Sequence, residues 1–165
     1  MTVVSDSSPL ISLARIGYLD LLSQQFGSIY VSTEVFNEVV IAGGGLPGAS
    51  EVAQADWIQV RPVQDTGVLA TAIAKTGLGA GEVSAVVLAK ELLADAVLID
   101  EWRARRYARE EGLLPIGCVG ILEDCYEQGL FSDLRDAYQQ LILQKTRLDV
   151  KTLQHSLAKF KLLPL

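Results

Sequence analysis

Short apolar runs recur along the chain, and between them apolar residues fall at helical spacing. The runs at 3–4, 28–31, 57–60, 96–99 and 113–116 are brief and mostly rich in β-branched residues, so they read as strands. The periodic stretches predict helices over 9–16, 18–25, 33–41, 49–55, 68–75, 81–93, 101–111, 119–128 and 133–143. Strands alternating with helices imply a parallel sheet covered on both faces. The expected class is therefore α/β, a three-layer α/β/α domain around a central parallel sheet of four to five strands. Residues 1–148 would form that domain. Residues 149–165 would add a C-terminal amphipathic helix packed on it or extending it, with Val150, Leu153, Leu157 and Phe160 on one stripe.

Composition narrows the picture. Half of the 165 residues are hydrophobic and 21% are charged, which suits one packed domain and argues against disorder. The N-terminus meets Asp6 before any basic residue, so no signal peptide is expected. The longest apolar stretch, 84–99, is broken by Lys90, Glu91 and Asp95 and is unfit to span a bilayer. The cytoplasm is the expected compartment. Cys118 and Cys125 on one helix would lie ~10 Å apart, beyond disulfide reach. Net charge is −6, which speaks against non-specific nucleic-acid binding driven by bulk charge. The charge is uneven, however. Residues 144–165 carry +4 and leave −10 for the body, which marks either an RNA- or partner-facing tail or a solvated helix face. The glycine-rich stretch 42–48 lacks the Gly-Lys-Ser/Thr of a phosphate loop and reads as a flexible loop near the active edge.

The candidate chemistry is acidic. Two predicted strands run into aspartates, Asp6 and Asp100, and residues just past the carboxyl ends of parallel strands gather along one ligand-binding edge. Each also precedes a helix, so capping explains them equally well. Glu82 heads an otherwise apolar stripe of Ala85, Val86 and Ala89, where a carboxylate favours a positive partner, although the helix dipole alone suits it too. By periodicity Glu38 lies with Glu34 and Asn37 on a polar face, as a surface acid. Magnesium favours such oxygen ligands, and carboxylates gathered around it can serve phosphodiester hydrolysis. On the predicted helix after Asp100, Arg103, Arg105, Arg106 and Arg109 form a patch suited to a phosphate, or to pairing with Glu101, Glu110 and Glu111. His155 has no evident partner. Ser7 suits a hydrogen bond to a metal-bound water better than nucleophilic attack, for no histidine is placed to activate it. A dehalogenase-type phosphatase would want an acid where Ser8 stands, and a phosphotransfer receiver would want a lysine where Gly117 stands.

Taken together, residues 5–11 (Ser-Asp-Ser-Ser-Pro-Leu-Ile), Gly81-Glu82, residues 98–101 followed by Ala104-Arg105 and Ala108, and the segment 117–122 resemble the PIN-domain nucleases. The likeness is to a prokaryotic branch related to the VapC-type toxins. The resemblance implies a magnesium- or manganese-dependent endoribonuclease, the toxin of a toxin–antitoxin pair. It implies Asp6, Glu38, Glu82 and Asp100 as catalytic acids, with Asp6, Glu82 and Asp100 on the metal. Ser7, Arg103, Arg105 and Arg106 would contact substrate. RNA, a small antitoxin inserted into the site and a second copy in a homodimer would be the partners, with no membrane. A PIN-like module that binds nucleic acid or protein without cutting is the alternative. Glu82 stands where VapC-type toxins usually have Asp, Cys118 where threonine is common, and the branch's lysine near Cys125 is missing.

Overall fold

The computed structural model describes residues 1–165. Five strands form one all-parallel sheet: β1 Val3–Ser5, β2 Ile29–Ser32, β3 Ile58–Arg61, β4 Ala96–Leu98 and β5 Pro115–Ile116. Their order is β3-β2-β1-β4-β5, so the chain reverses its winding between β1 and β4. At such a switch point the loops leaving two neighbouring strands part and open a crevice. Val3 pairs with Ala96, Val4 with Val97 and Ser5 with Leu98. Hydrogen bonding runs on past the strand ends. Asp6 N–H donates to Leu98 O at 2.9 Å and Ile99 N–H to Ile116 O at 3.0 Å. Both aspartate-bearing turns are thereby tied to the sheet.

Helices flank the sheet and give the three-layer α/β/α architecture. The connections are α1 Ser7–Arg15, α2 Leu21–Phe26, α3 Thr33–Phe36, α4 Ala49–Gln54, α5 Thr66–Thr76, α6 Ala80–Glu91, α7 Trp102–Glu110, α8 Cys118–Glu127, α9 Leu134–Leu143 and α10 Val150–Lys159. α6 lies across β1, β2 and β4, with α3, α5 and α7 around it. Every residue of 83–89 is buried, as a helix enclosed on all sides demands. α1 and α2 pack on α8, which in turn carries α9 and α10. Leu153 and Leu157 of α10 join the main core, and buried Tyr138 Oη shares a 2.6 Å hydrogen bond with Ser156 Oγ. Val150, placed on the same stripe by periodicity, is 47% exposed instead. No helix is long and apolar enough to cross a membrane.

Where elements differ from expectation, backbone bonds explain it. The stretch 18–20 is a turn, because Leu21 and Leu22 bond three residues back to Tyr18 and Leu19. β5 is shorter than 113–116, since Leu113 N–H closes α7 by donating to Ala108 O. α5 is longer than 68–75, for Asp65 caps it through Val68 N–H at one end and left-handed Gly77 closes it at the other. The segment 33–41 is not one α-helix. After α3 it widens into a π-helical turn, Asn37–Ala42, with Gly43 N–H bonding five residues back to Glu38 O. The 42–48 loop returns to the body, where Gly48 lies against Ile11 and Ala14 of α1.

Candidate active site

Asp6 is 3% exposed at the end of β1. It occupies the N-cap position of α1, yet its side chain makes no capping hydrogen bond. Capping does not explain Asp100 either. The cap of α7 is Glu101, whose carboxylate accepts from Ala104 N–H at 3.0 Å. Asp100 instead reaches across the β4–β5 edge and accepts Cys118 N–H, the start of α8, through Oδ1 at 2.6 Å. Its second oxygen, Oδ2, is buried and has no hydrogen-bond partner. An ionised oxygen in that position is costly unless a cation or proton meets it.

Electrostatics draw the acids into one group around Asp6. Its carboxyl is raised from 3.8 to about 7, first by burial; the Ser7 backbone N–H opposes this, and the charges of Glu82, Glu38 and Asp100 add to it. Glu82, in the first turn of α6, is also raised: burial first, then Glu101, with Gly79 opposing, then Glu38, with Arg103 opposing. Burial raises Asp100 too, against the Cys118 N–H and the nearby Arg105 guanidinium. Four carboxylates from four separate segments therefore share one field, and nothing in the chain neutralises it fully.

Glu38 adds to the periodic reading. The residue is exposed as expected, but Ser7 Oγ donates to its Oε2 and its carboxylate lies over Gly81. The faces of this segment follow the periodic assignment, with Val39 buried and Asn37 and Glu38 exposed; the contacts with Ser7 and Gly81 are tertiary and have no local signal. Ser7 thus holds a carboxylate directly. A Cβ on residue 81 would sit 2.5 Å from Glu38 Oε2, so glycine there makes room for the acid. Gly117 does the same beside Asp100: an added Cβ would lie 2.8 Å from Arg105 Nη1 and 3.3 Å from Asp100 Oδ1. A buried hydroxyl chain also went unread in the sequence. Ser84 Oγ donates to Gly81 O at 2.9 Å and shares a 2.7 Å bond with Ser32 Oγ, the N-cap of α3, so the segments bearing Glu38 and Glu82 are tied together. Only the alternation of serine with apolar neighbours hinted at it.

The arginines do not form one patch. Arg105 turns inward and donates to Ile99 O at 3.0 Å, beside Asp100. Arg103 and Arg106 face a second cleft between α5, α6 and α7, where Arg103 donates to Thr76 O and Arg106 pairs with Glu110. His155 is exposed on α10, and both cysteines are free and buried. As the side chains stand, no three acids close tightly enough to hold an ion without help. Magnesium tolerates that, because it commonly keeps several waters and takes only one or two carboxylates directly.

A family model described as a PIN domain (DUF3368) matches residues 2–162. The chain belongs to the PIN-domain family. PIN domains are generally nucleases that use divalent metal ions, which suits the acid group at the switch point of this one. No curated protein matches the chain. The donor set of this PIN domain is all oxygen, and the unpartnered Asp100 Oδ2 with the high proton affinity of Asp6 leaves a demand for positive charge. The residues fit a hard divalent cation.

Proposed function

We propose that this PIN domain is a magnesium- or manganese-dependent endoribonuclease acting as the toxin of a toxin–antitoxin pair in the cytoplasm. The observation that supports it most is buried Asp6 in the joint field of Glu38, Glu82 and Asp100, capping nothing. Asp6, Glu82 and Asp100 would hold the ion, with Glu38, steadied by Ser7, beside them. When bound, the ion supplies an activated water and offsets the charge that builds on the phosphodiester. The chain itself orients these groups through β1, β4 and α6. Arg105 would meet a phosphate next to Asp100, and Arg103 and Arg106 would meet the strand in the neighbouring cleft between α5, α6 and α7. A small antitoxin inserting into the acidic opening would block it, and a homodimer is the proposed assembly. Purified protein should cut mixed cellular RNA with Mg²⁺ or Mn²⁺, stop in EDTA, and arrest growth when expressed in a bacterial host. Intact RNA at saturating Mn²⁺ would remove the enzyme.

One observation favours a second reading, a binding module without cleavage: the acids do not close on one point unaided. Calorimetry with Mn²⁺ separates the two, because a module would show no binding near millimolar ion.

Gly81→Ala offers a sharper check on Glu38. Alanine inside a helix is favoured over glycine by ~0.5–1 kcal/mol, and the clash falls on the mobile end of a side chain, so stability should hold or rise. The displaced Glu38 should weaken Mn²⁺ binding about tenfold, the size of a lost supporting contact. Denaturation and calorimetry on the same sample would show both. Unchanged ion affinity would free Glu38 from the site.

A further inference from the structure

We propose that the cleft between α7 and the segment joining α9 to α10 seats a single strand of RNA, with Arg105 and Arg147 gripping a backbone phosphate and Trp102 stacking an unpaired base. This deepens the nuclease reading and rests on it. The cleft measures about 750 Å³, within the range of small-ligand sites. Asp100, Trp102 and Arg105 line it from one side and Arg147 from the other. Gly117 and Gly120 form part of its floor, and the room at Gly117 lets Arg105 lie beside Asp100.

The charges in the cleft are unevenly employed. Its acids each have a partner at one oxygen or more: Asp100 accepts Cys118 N–H through Oδ1 while its buried Oδ2 stays unpartnered, Glu101 caps α7, and Asp149 caps α10 through Lys151 N–H and Thr152 Oγ1. Arg147 has none. The chain's ion pairs are Lys90–Glu111, Arg106–Glu110 and Lys159–Glu123, none of which includes Arg147. It is exposed, and with Arg105 it brings a second guanidinium to a cleft in an otherwise acidic body. An anion between the two walls would satisfy both, and guanidinium matches phosphate in shape as well as charge. The basic C-terminal stretch thereby acquires a task.

Trp102 indicates the form of the nucleic acid. It opens α7 at the rim of this cleft and of its neighbour, 67% exposed, with no aromatic partner in the chain. A base face can cover it only if that base has left its own stack, which a loop or single strand permits and a duplex does not.

The test is steady-state cleavage of a fluorescent single-stranded RNA, with its duplex as comparison, at saturating Mg²⁺. Arg147→Ala should raise KM about tenfold with kcat within about twofold, and lower the salt slope by ~0.7, the share of one phosphate contact on a single strand. Arg147→Lys should recover most of the loss. Trp102→Ala should raise KM by a similar factor, and Trp102→Phe should restore it. Mn²⁺ affinity should stay fixed in all four, since none touches the acids. Wild-type KM in both alanine variants would overturn the cleft assignment and leave the nuclease reading standing. If the wild type cuts no RNA, the nuclease reading falls, and anisotropy decides the cleft: binding lost in Arg147→Ala supports it, and absence of any binding overturns it.

Discussion

Asp6→Asn and Asp100→Asn should each cut the rate of RNA cleavage by roughly a thousandfold or more, the scale of several kcal/mol at the reacting centre. Both replacements keep shape and remove one negative charge. Asp100→Asn can still accept Cys118 N–H through its amide oxygen, so the start of α8 should stay in place. Asp6→Asn should do more than inactivate. In the ion-free protein at neutral pH, Asp6 either holds a proton or bears charge among three carboxylates. An uncharged amide escapes that conflict, so the variant should be more stable than the parent in EDTA at pH 8, by ~1–3 kcal/mol. Activity and stability then move in opposite directions. Rate assays with paired urea denaturation would show it. Full metal-dependent cleavage in either variant would remove these residues from the centre, and lower stability in Asp6→Asn would mean its carboxylate has a structural partner.

The sequence carried the layers of this fold because the apolar runs are short and the helices between them periodic. Every expected strand exists, within a residue or two of its place. Pairing order was another matter: β1 beside β4 is a contact across more than ninety residues, and no local pattern encodes it. Asp6 and Asp100 were legible as strand-end acids, but their alternative role as caps could be tested only in three dimensions. There Glu101 caps α7, and Asp6 caps nothing. Periodicity put Glu38 on the exposed face, where it is, but could not show that Ser7 and Gly81 come from other segments to meet its carboxylate. The arginines of α7 look like one cluster in sequence because all four fall within residues 103–109. At about 100° per residue, neighbours diverge, and Arg105 and Arg106 enter different clefts. Gly81 and Gly117 carried no signal at all, since a glycine chosen for space resembles any other until its neighbour is seen.

Ion-free protein should lose stability as pH rises from about 4 to about 7, opposite to the usual behaviour of paired carboxylates. The folded form binds a proton at Asp6 with a pKa of about 7 against 3.8 when unfolded, so folding takes up a proton between those values. The stabilisation is full below 4, falls as pH climbs through 7, and is then gone. A tenfold change in proton affinity corresponds to ~1.4 kcal/mol, which sets the Asp6 contribution at ~4 kcal/mol at most. Asp100 and Glu82 shift in the same direction and steepen the decline. A divalent cation should reverse the trend, because it competes with protons for the same oxygens and binds the folded chain alone. Stabilisation by Mn²⁺ should therefore be larger at pH 8 than at pH 5, and Asp6→Asn should flatten both profiles. Urea midpoints at three pH values, in EDTA and in Mn²⁺, give the answer. A profile in EDTA that rises toward neutrality would mean Asp6 is paired rather than crowded, and the case for a cation among these acids would lose its physical basis.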